Sequence, residues 1–204
     1  CRSNKNANQY NQQIRSRILF REEEISAGDY LMVVKNNYYW LPAEEQGFIA
    51  NGEIVRVVKV GRAEELHGFR FADMTVQLVD LPNEPKLSVK VLIDTIYADA
   101  PSLKSEDQKK LFDSVSADYA DILNKKERYE KIKADPYYNA LQVKFAYAVT
   151  CHKAQGGQWK VVFVDQGYLV DDMLNLDLLR WLYTAITRAS FQVFLVNFHP
   201  KFFK

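Results

Sequence analysis

Ala148-Val149-Thr150-Cys151-His152-Lys153-Ala154-Gln155-Gly156-Gly157-Gln158-Trp159 is a polar run set between two apolar stretches, Val143 to Val149 and Lys160 to Asp165. Both stretches are short and rich in β-branched and aromatic residues, as strands are. A helical pattern from about Leu174 to Thr187 follows, and then a strand pattern from Gln192 to Asn197. Strand, helix and strand at this spacing predict an α/β fold with a mostly parallel, helix-covered sheet. Ligands in such sheets bind beyond the carboxyl ends of the strands, so the run from Thr150 to Gln158 is expected to face a ligand. Its residue types suit phosphate or nucleic acid. Gly156 and Gly157 permit close backbone approach, Gln155 and Gln158 can both donate and accept, and Thr150 and His152 can reach backbone phosphates. Cys151 beside His152 could also indicate a thiol hydrolase. Adjacent side chains of an extended segment point apart, however, so nucleophilic catalysis is set aside.

Upstream, Ala7, Ile14 and Ile18 recur near a helical period between Asn6 and Arg21, with Ser3 and Asn4 as capping residues. This helix begins so close to the first residue that the strand normally preceding it is nearly absent, and the chain is expected to be cut from a larger one. From Gly28-Asp29 to about Tyr97 the pattern becomes β: Tyr30 to Lys35, Glu53 to Val60, Thr75 to Asp80 and Leu87 to Ile93. Turn signals at Asn36-Asn37, Asn51-Gly52 and Pro82-Asn83 separate these strands, predicting a small antiparallel SH3-like or OB-like barrel. Ser105-Glu106-Asp107-Gln108 has the spacing of a helix-capping box. A long helix with Leu111, Val115, Tyr119, Ile122 and Leu123 as its apolar stripe is expected to follow and to end at Asp135-Pro136. The resulting plan is a split α/β domain, residues 1–27 and 137–204, interrupted by a barrel over 28–98 and a helical segment over 99–136.

The 27 Lys and Arg nearly balance the 26 Asp and Glu, so the net charge of +1 gives no global attraction to polyanions. The basic bias is local: Arg2, Lys5, Arg15, Arg17 and Arg21 precede the first acid, Glu22, though a solvated helix face would look the same. Two cysteines and three histidines do not make a disulfide framework or a zinc cluster, and a reducing, cytoplasmic setting is expected, with no metal held by the chain itself. No apolar run reaches the ~20 residues that span a bilayer, and Cys1 to Lys5 lacks the apolar core of a signal peptide.

Leu182-Tyr183-Thr184-Ala185-Ile186-Thr187-Arg188-Ala189 closes the predicted final helix. Alone, Arg188 could simply complement the helix dipole, a contribution of ~0.3 to 1 kcal/mol. Taken together with the other segments, it resembles something more specific. Thr150 to Trp159 resembles motif V of superfamily 1 helicases, Tyr183 to Ala189 resembles motif VI, and Cys1-Arg2-Ser3-Asn4-Lys5-Asn6-Ala7 resembles motif IV, in the family's order. Gln155-Gly156-Gly157-Gln158 stands where many members carry Lys-Gly-Leu-Glu. The barrel is similar to the SH3-like insertion of RecD-type and Dda-type helicases, which move 5′ to 3′. Residues 99–136 match no part of that pattern.

The resemblance implies a RecA-like second motor domain of the P-loop NTPase type, with an SH3-like insertion, from a UvrD-like carboxy-terminal region. ATP with Mg2+ would lie between it and a first RecA-like domain that supplies the phosphate loop. No Gly-x-x-x-x-Gly-Lys-Ser/Thr loop occurs here, so the chain by itself is not expected to hold the nucleotide or hydrolyse it efficiently. Arg188 would be the arginine finger and Arg2 a second γ-phosphate contact. Gln155, Gly156 and Gln158 would line the nucleotide side of the loop, while Thr150, His152 and Lys153 would hold single-stranded DNA. Tyr38, Tyr39 and Trp40 on the barrel could stack on bases, although an aromatic cluster at a strand end is also what a core produces. Two other classes stay open: a non-catalytic DNA- or protein-binding module, and a helicase subunit of an exonuclease complex.

Overall fold

A computed structural model describes residues 1–41, 47–79, 86–170 and 173–203. Two compact units emerge: Cys1–Leu19 with Tyr147–Lys204, and Phe20–Ala146. The boundaries thus fall after residues 19 and 146 rather than 27 and 136. Arg21 pairs with the fully buried Asp29, and the Tyr97 hydroxyl donates to the Glu24 carbonyl at 3.1 Å, which ties residues 20–27 to the barrel.

The larger unit is a closed barrel of β1 (Tyr30–Val33), β2 (Ile54–Leu66), β3 (Phe69–Leu78), β4 (Lys86–Leu92) and β5 (Leu141–Phe145). Its first four strands overlap the predicted ones, but β2 runs six residues past Val60 and β3 begins six residues before Thr75. The expected Pro82-Asn83 turn, and Asp80, lie outside the described residues. Strand alternation sends Leu31, Val33, Val55, Val57, Val76 and Val91 into an interior where each is at most 1% exposed. β2 and β3 run on past the barrel wall as one long hairpin, with register shifts between Val57 and Lys59 and between Val60 and Ala63. Its two-residue turn, His67-Gly68, has φ of 55° and 74°, the left-handed geometry that matches strand twist.

β5 corrects one expectation. The run from Val143 to Val149 is expected to be a strand of the parallel sheet, but Leu141–Phe145 instead closes the barrel. It pairs antiparallel with β1 (Leu31 opposite Phe145, Val33 opposite Val143) and parallel with β4 (Val91 opposite Leu141). Every residue of β5 is buried, Gln142 and Lys144 as well as the apolar Leu141, Val143 and Phe145, and so short an alternating run does not say which sheet it joins.

α2 (Asp94–Tyr97) follows β4 directly. The buried Thr95 hydroxyl lies 2.8 Å from the Leu92 carbonyl and accepts the Val143 amide at 3.1 Å, locking this turn to β5. Thr95→Val would leave that amide without a partner. It is expected to cost about 1–3 kcal/mol, seen as a lower denaturant midpoint with unchanged slope.

The single long helix expected after Ser105 is two: α3 (Ser105–Asp118) and α4 (Lys125–Lys133). Tyr119 leaves the helical region, and the Asn124 side chain accepts from the amides of Lys126 and Glu127, starting a new helix. Leu123 is therefore 93% exposed rather than part of a stripe. The capping box does not form either: Lys104 occupies the cap position without a side-chain hydrogen bond, and Ser105 is already helical. Leu111, Val115 and Ile132 pack with Phe71 and Leu92 in a second core, so the helical segment rests on the long hairpin.

In the smaller unit, α1 (Asn4–Gln13) starts where Ser3 accepts the Asn6 amide at 3.1 Å. It continues as a π-turn over Ile14–Ile18, closed by the Leu19 amide on the Ile14 carbonyl. Its buried ridge is Ala7, Asn11 and Arg15, whereas Ile18, expected inside, is 66% exposed. β6 (Trp159–Asp165) and β7 (Ala189–Val196) form a parallel pair. α5 (Leu176–Ile186), capped by Asn175, runs between them in sequence, and its Ala185 and Trp181 join Cys151, Val162, Val164 and Val193 in a small core. No helix of the described residues is long and apolar enough to cross a membrane.

Candidate functional site

Because β6 and β7 are parallel, with Trp159 opposite Ala189, the residues just before them become neighbours. Gln158 and Arg188 thus meet at the amino ends of the pair. The polar loop, expected beyond a strand's carboxyl end, lies instead at this amino edge because β5 belongs to the barrel. The Trp159 amide donates to the Arg188 carbonyl at 2.9 Å. The Arg188 guanidinium donates to the Gly157 carbonyl (3.1 Å), the Thr184 carbonyl (3.1 Å) and the Thr187 hydroxyl (3.2 Å). One planar fork thereby joins the end of α5 to the loop, which a point-charge ammonium could not do with the same geometry.

The loop is wound rather than extended. Lys153 and Ala154 amides bond to the Thr150 carbonyl at 3.0 and 3.1 Å, and the Gly157 amide bonds to the Ala154 carbonyl at 3.2 Å. This winding turns Cys151 and Ala154 inward and leaves His152, Gln155, Gly156 and Gln158 exposed. Gly156 has φ +88° with open space where a Cβ would stand, while the Trp159 indole lies over Gly157. Thr150 and Lys153 are half-buried, and burial lowers the pKa of the Lys153 ammonium.

Three contacts fix the loop from behind. Cys1 runs beside it, its carbonyl accepting the Cys151 amide at 3.0 Å. Asn11 grips both main-chain groups of Ala148, donating to the carbonyl at 2.8 Å and accepting the amide at 2.7 Å. The Cys151 thiol reaches the Trp181 carbonyl at 3.5 Å. Asn11 and Trp181 are positioning residues that no sequence motif marks. The one available signal was a polar residue, Asn11, spaced four from Ala7 in the α1 ridge. Arg2 is placed by other partners than Arg188: its guanidinium lies 5.9 Å from the Trp181 ring centre and donates to the Tyr168 carbonyl at 3.4 Å.

Cys151 and His152 do point apart, one buried and one exposed. Burial pushes the Cys151 thiol up, against the opposing pull of the amino terminus and Arg188. A raised thiol pKa leaves little thiolate near neutrality. Alkylation of Cys151 in the native protein is expected to be slow at mildly alkaline pH and fast after unfolding, as mass mapping of labelled peptides would read. Rapid native labelling would contradict this burial.

The site offers a guanidinium, two exposed carboxamides, an imidazole and a glycine of open backbone, a donor-rich set for phosphate oxygens and a sugar. The chain is 25% identical, over a 225-residue alignment, to an uncharacterized protein of Acanthamoeba polyphaga mimivirus. The match takes in 92% of this chain and 45% of that protein, so the chain spans about half the relative's length. Residues 145–196, from the last residue of β5 to the end of β7 and including the whole loop and Arg188, match the family model of the UvrD-like helicase C-terminal domain.

Proposed function

We propose that the chain is the second motor half of an ATP-dependent superfamily 1 DNA helicase, RecD-like and moving 5′ to 3′. In this reading the smaller unit is the RecA-like domain and the barrel an SH3-like insertion that guides the strand. ATP with Mg2+ would sit against the loop, held mainly by a first RecA-like domain elsewhere in the intact protein, and single-stranded DNA would be the polymeric partner. Arg188 would act as the arginine finger and Arg2 as a second γ-phosphate contact. Gln155, Gly156 and Gln158 would face the nucleotide, and Thr150, His152 and Lys153 the strand backbone.

The observation that carries this reading is the Arg188 guanidinium on the Gly157 carbonyl, both residues within the matched segment. All its acceptors among the described residues are neutral. A γ-phosphate is a stronger, charged acceptor, so a closing cleft would draw the fork from Gly157 and Thr187 onto phosphate. That movement would release the loop, and the same loop would carry the strand-holding side chains. Nucleotide state and strand grip would then share one mechanical element. The differing affinity of ATP for open and closed clefts would supply the driving energy.

The test is ATP turnover by Arg188→Ala in the intact protein, with and without single-stranded DNA. Collapse of stimulated turnover with strand binding retained is expected; turnover near the wild-type level would reject the finger role.

A further inference from the structure

At the opposite end of the same parallel pair, where β6 stops at Asp165 and β7 at Val196, a cleft of about 510 Å³ opens against α1. That volume is within the range of small-ligand sites, ~300 to 1,000 Å³. Asn6, Gln9 and Tyr10 line it from α1, one helical face by their spacing, and Asn197 and Tyr168 line it from the strand ends. Asp165, only 5% exposed, is its buried carboxylate, and Tyr168, 81% exposed, its outermost ring.

The polar groups are arranged rather than scattered. Asn197 donates to the Asp165 carboxylate at 2.8 Å and lies 3.3 Å from the Tyr10 hydroxyl, which also bonds the carboxylate. Those two bonds use only part of the ~four acceptor positions of a carboxylate, so capacity remains. The carboxamides of Asn6 and Gln9 make no hydrogen bond to protein among the described residues.

No lysine, arginine or histidine lines the cleft among the described residues, and its fixed charge is negative, so a phosphate is repelled from the interior. A neutral, planar group with N–H donors is favoured. Cations stand just outside: Arg2 donates to the Tyr168 carbonyl, and exposed Lys5 precedes Asn6 on α1. A neutral ring inside with an anion at the margin describes a nucleotide of a strand.

We propose that this cleft receives a nucleobase bearing an exocyclic amino group, turned out of a single strand, with Tyr168 stacking on its face and Asp165 accepting from the amino group. The inference rests on the nucleic-acid reading of the proposed function. Cytosine, adenine and guanine carry such an amino group. Thymine presents an imide N–H flanked by two carbonyls, which the carboxylate repels.

Oligo(dC) and oligo(dT) of equal length, both pyrimidine strands, isolate that difference when bound to the full chain at neutral pH and read by fluorescence anisotropy. Oligo(dC) is expected to bind about tenfold tighter, the order of one well-formed base contact. Tyr168→Ala removes an exposed ring and is expected to weaken oligo(dC) about tenfold with an unchanged melting temperature. Asp165→Asn replaces an obligate acceptor with a group that also donates, so the preference should vanish or reverse while oligo(dT) affinity holds. Equal affinity for the two strands, unaffected by Tyr168→Ala, overturns the cleft assignment and leaves the helicase reading standing. Failure to bind either strand overturns both. Cytidine monophosphate competing as well as the oligonucleotide, mole for mole, overturns the strand as the source of the base.

Discussion

Under the helicase function proposed above, Arg188→Lys is expected to lower strand-stimulated ATP turnover of the intact protein by about a thousandfold or more, while single-strand affinity stays nearly unchanged. A guanidinium delivered to a transferring phosphoryl group is worth ~10³ to 10⁵ in rate, because it offers paired donors to charge that develops only in the transition state. Lysine keeps the charge and loses the fork. The same side chain also ties α5 to the loop through Thr184, Thr187 and Gly157, so structural damage must be weighed against lost chemistry. The sizes separate the two. Each of those bonds contributes about 0.5–1.5 kcal/mol net and is partly replaceable by water at a half-buried position. A thousandfold loss in rate corresponds to about 4 kcal/mol acting only on turnover. A melting temperature close to wild type with turnover collapsed supports the finger role; parallel losses in both would mark Arg188 as a structural clamp.

Phe71→Ala is expected to destabilise the larger unit by about 3–5 kcal/mol. Phe71 is fully buried on β3 and belongs to the cluster that includes Leu92, Leu111, Val115 and Ile132, with its ring edge-on to Tyr137 at 5.2 Å. Strand and helix both depend on it, so a truncation leaves a cavity whose walls belong to different elements and cannot easily collapse together. Large aromatic deletions in such places fall at the upper end of core substitutions. Equilibrium denaturation reads the effect, and with two compact units the transition assigned to residues 20–146 is the one to follow. A shift below about 1 kcal/mol would mean the helical segment is not held by this core.

The elements that were legible share a local cause. Ser3 caps α1, α5 runs from its Asn175 cap through an amphipathic stretch, and β1 to β4 alternate between turn residues, all signals carried within a few positions. The polar run from Thr150 to Gln158 was equally visible, because apolar strand-like residues flank it on both sides. What could not be read depended on partners distant in sequence. In Leu141–Phe145 the apolar residues alternate with Gln142 and Lys144, but five alternating residues are silent about sheet membership, and pairing with Tyr30–Val33 more than a hundred residues away decided the matter. Ile18 looked like core by period, but a π-turn over Ile14–Ile18 changed the helical phase and left it in solvent. Leu123 was exposed by a second cap at Asn124, a local signal present in the chain but outweighed by the apolar count.

By itself, then, the amino-acid sequence determined the kinds of element, most of their positions, and a polar loop and an arginine segment similar to helicase motifs, since capping, alternation and turn chemistry act over a few residues. Tertiary structure alone decided that β5 belongs to the barrel, that Arg188 lies on Gly157, that Asn11 holds Ala148, and that Asp165 meets Asn6, Tyr10 and Asn197 around a cleft. Each of those is a contact between segments far apart in the chain, set by strand register and the packing of α1 and α5, and no local pattern of residues encodes it.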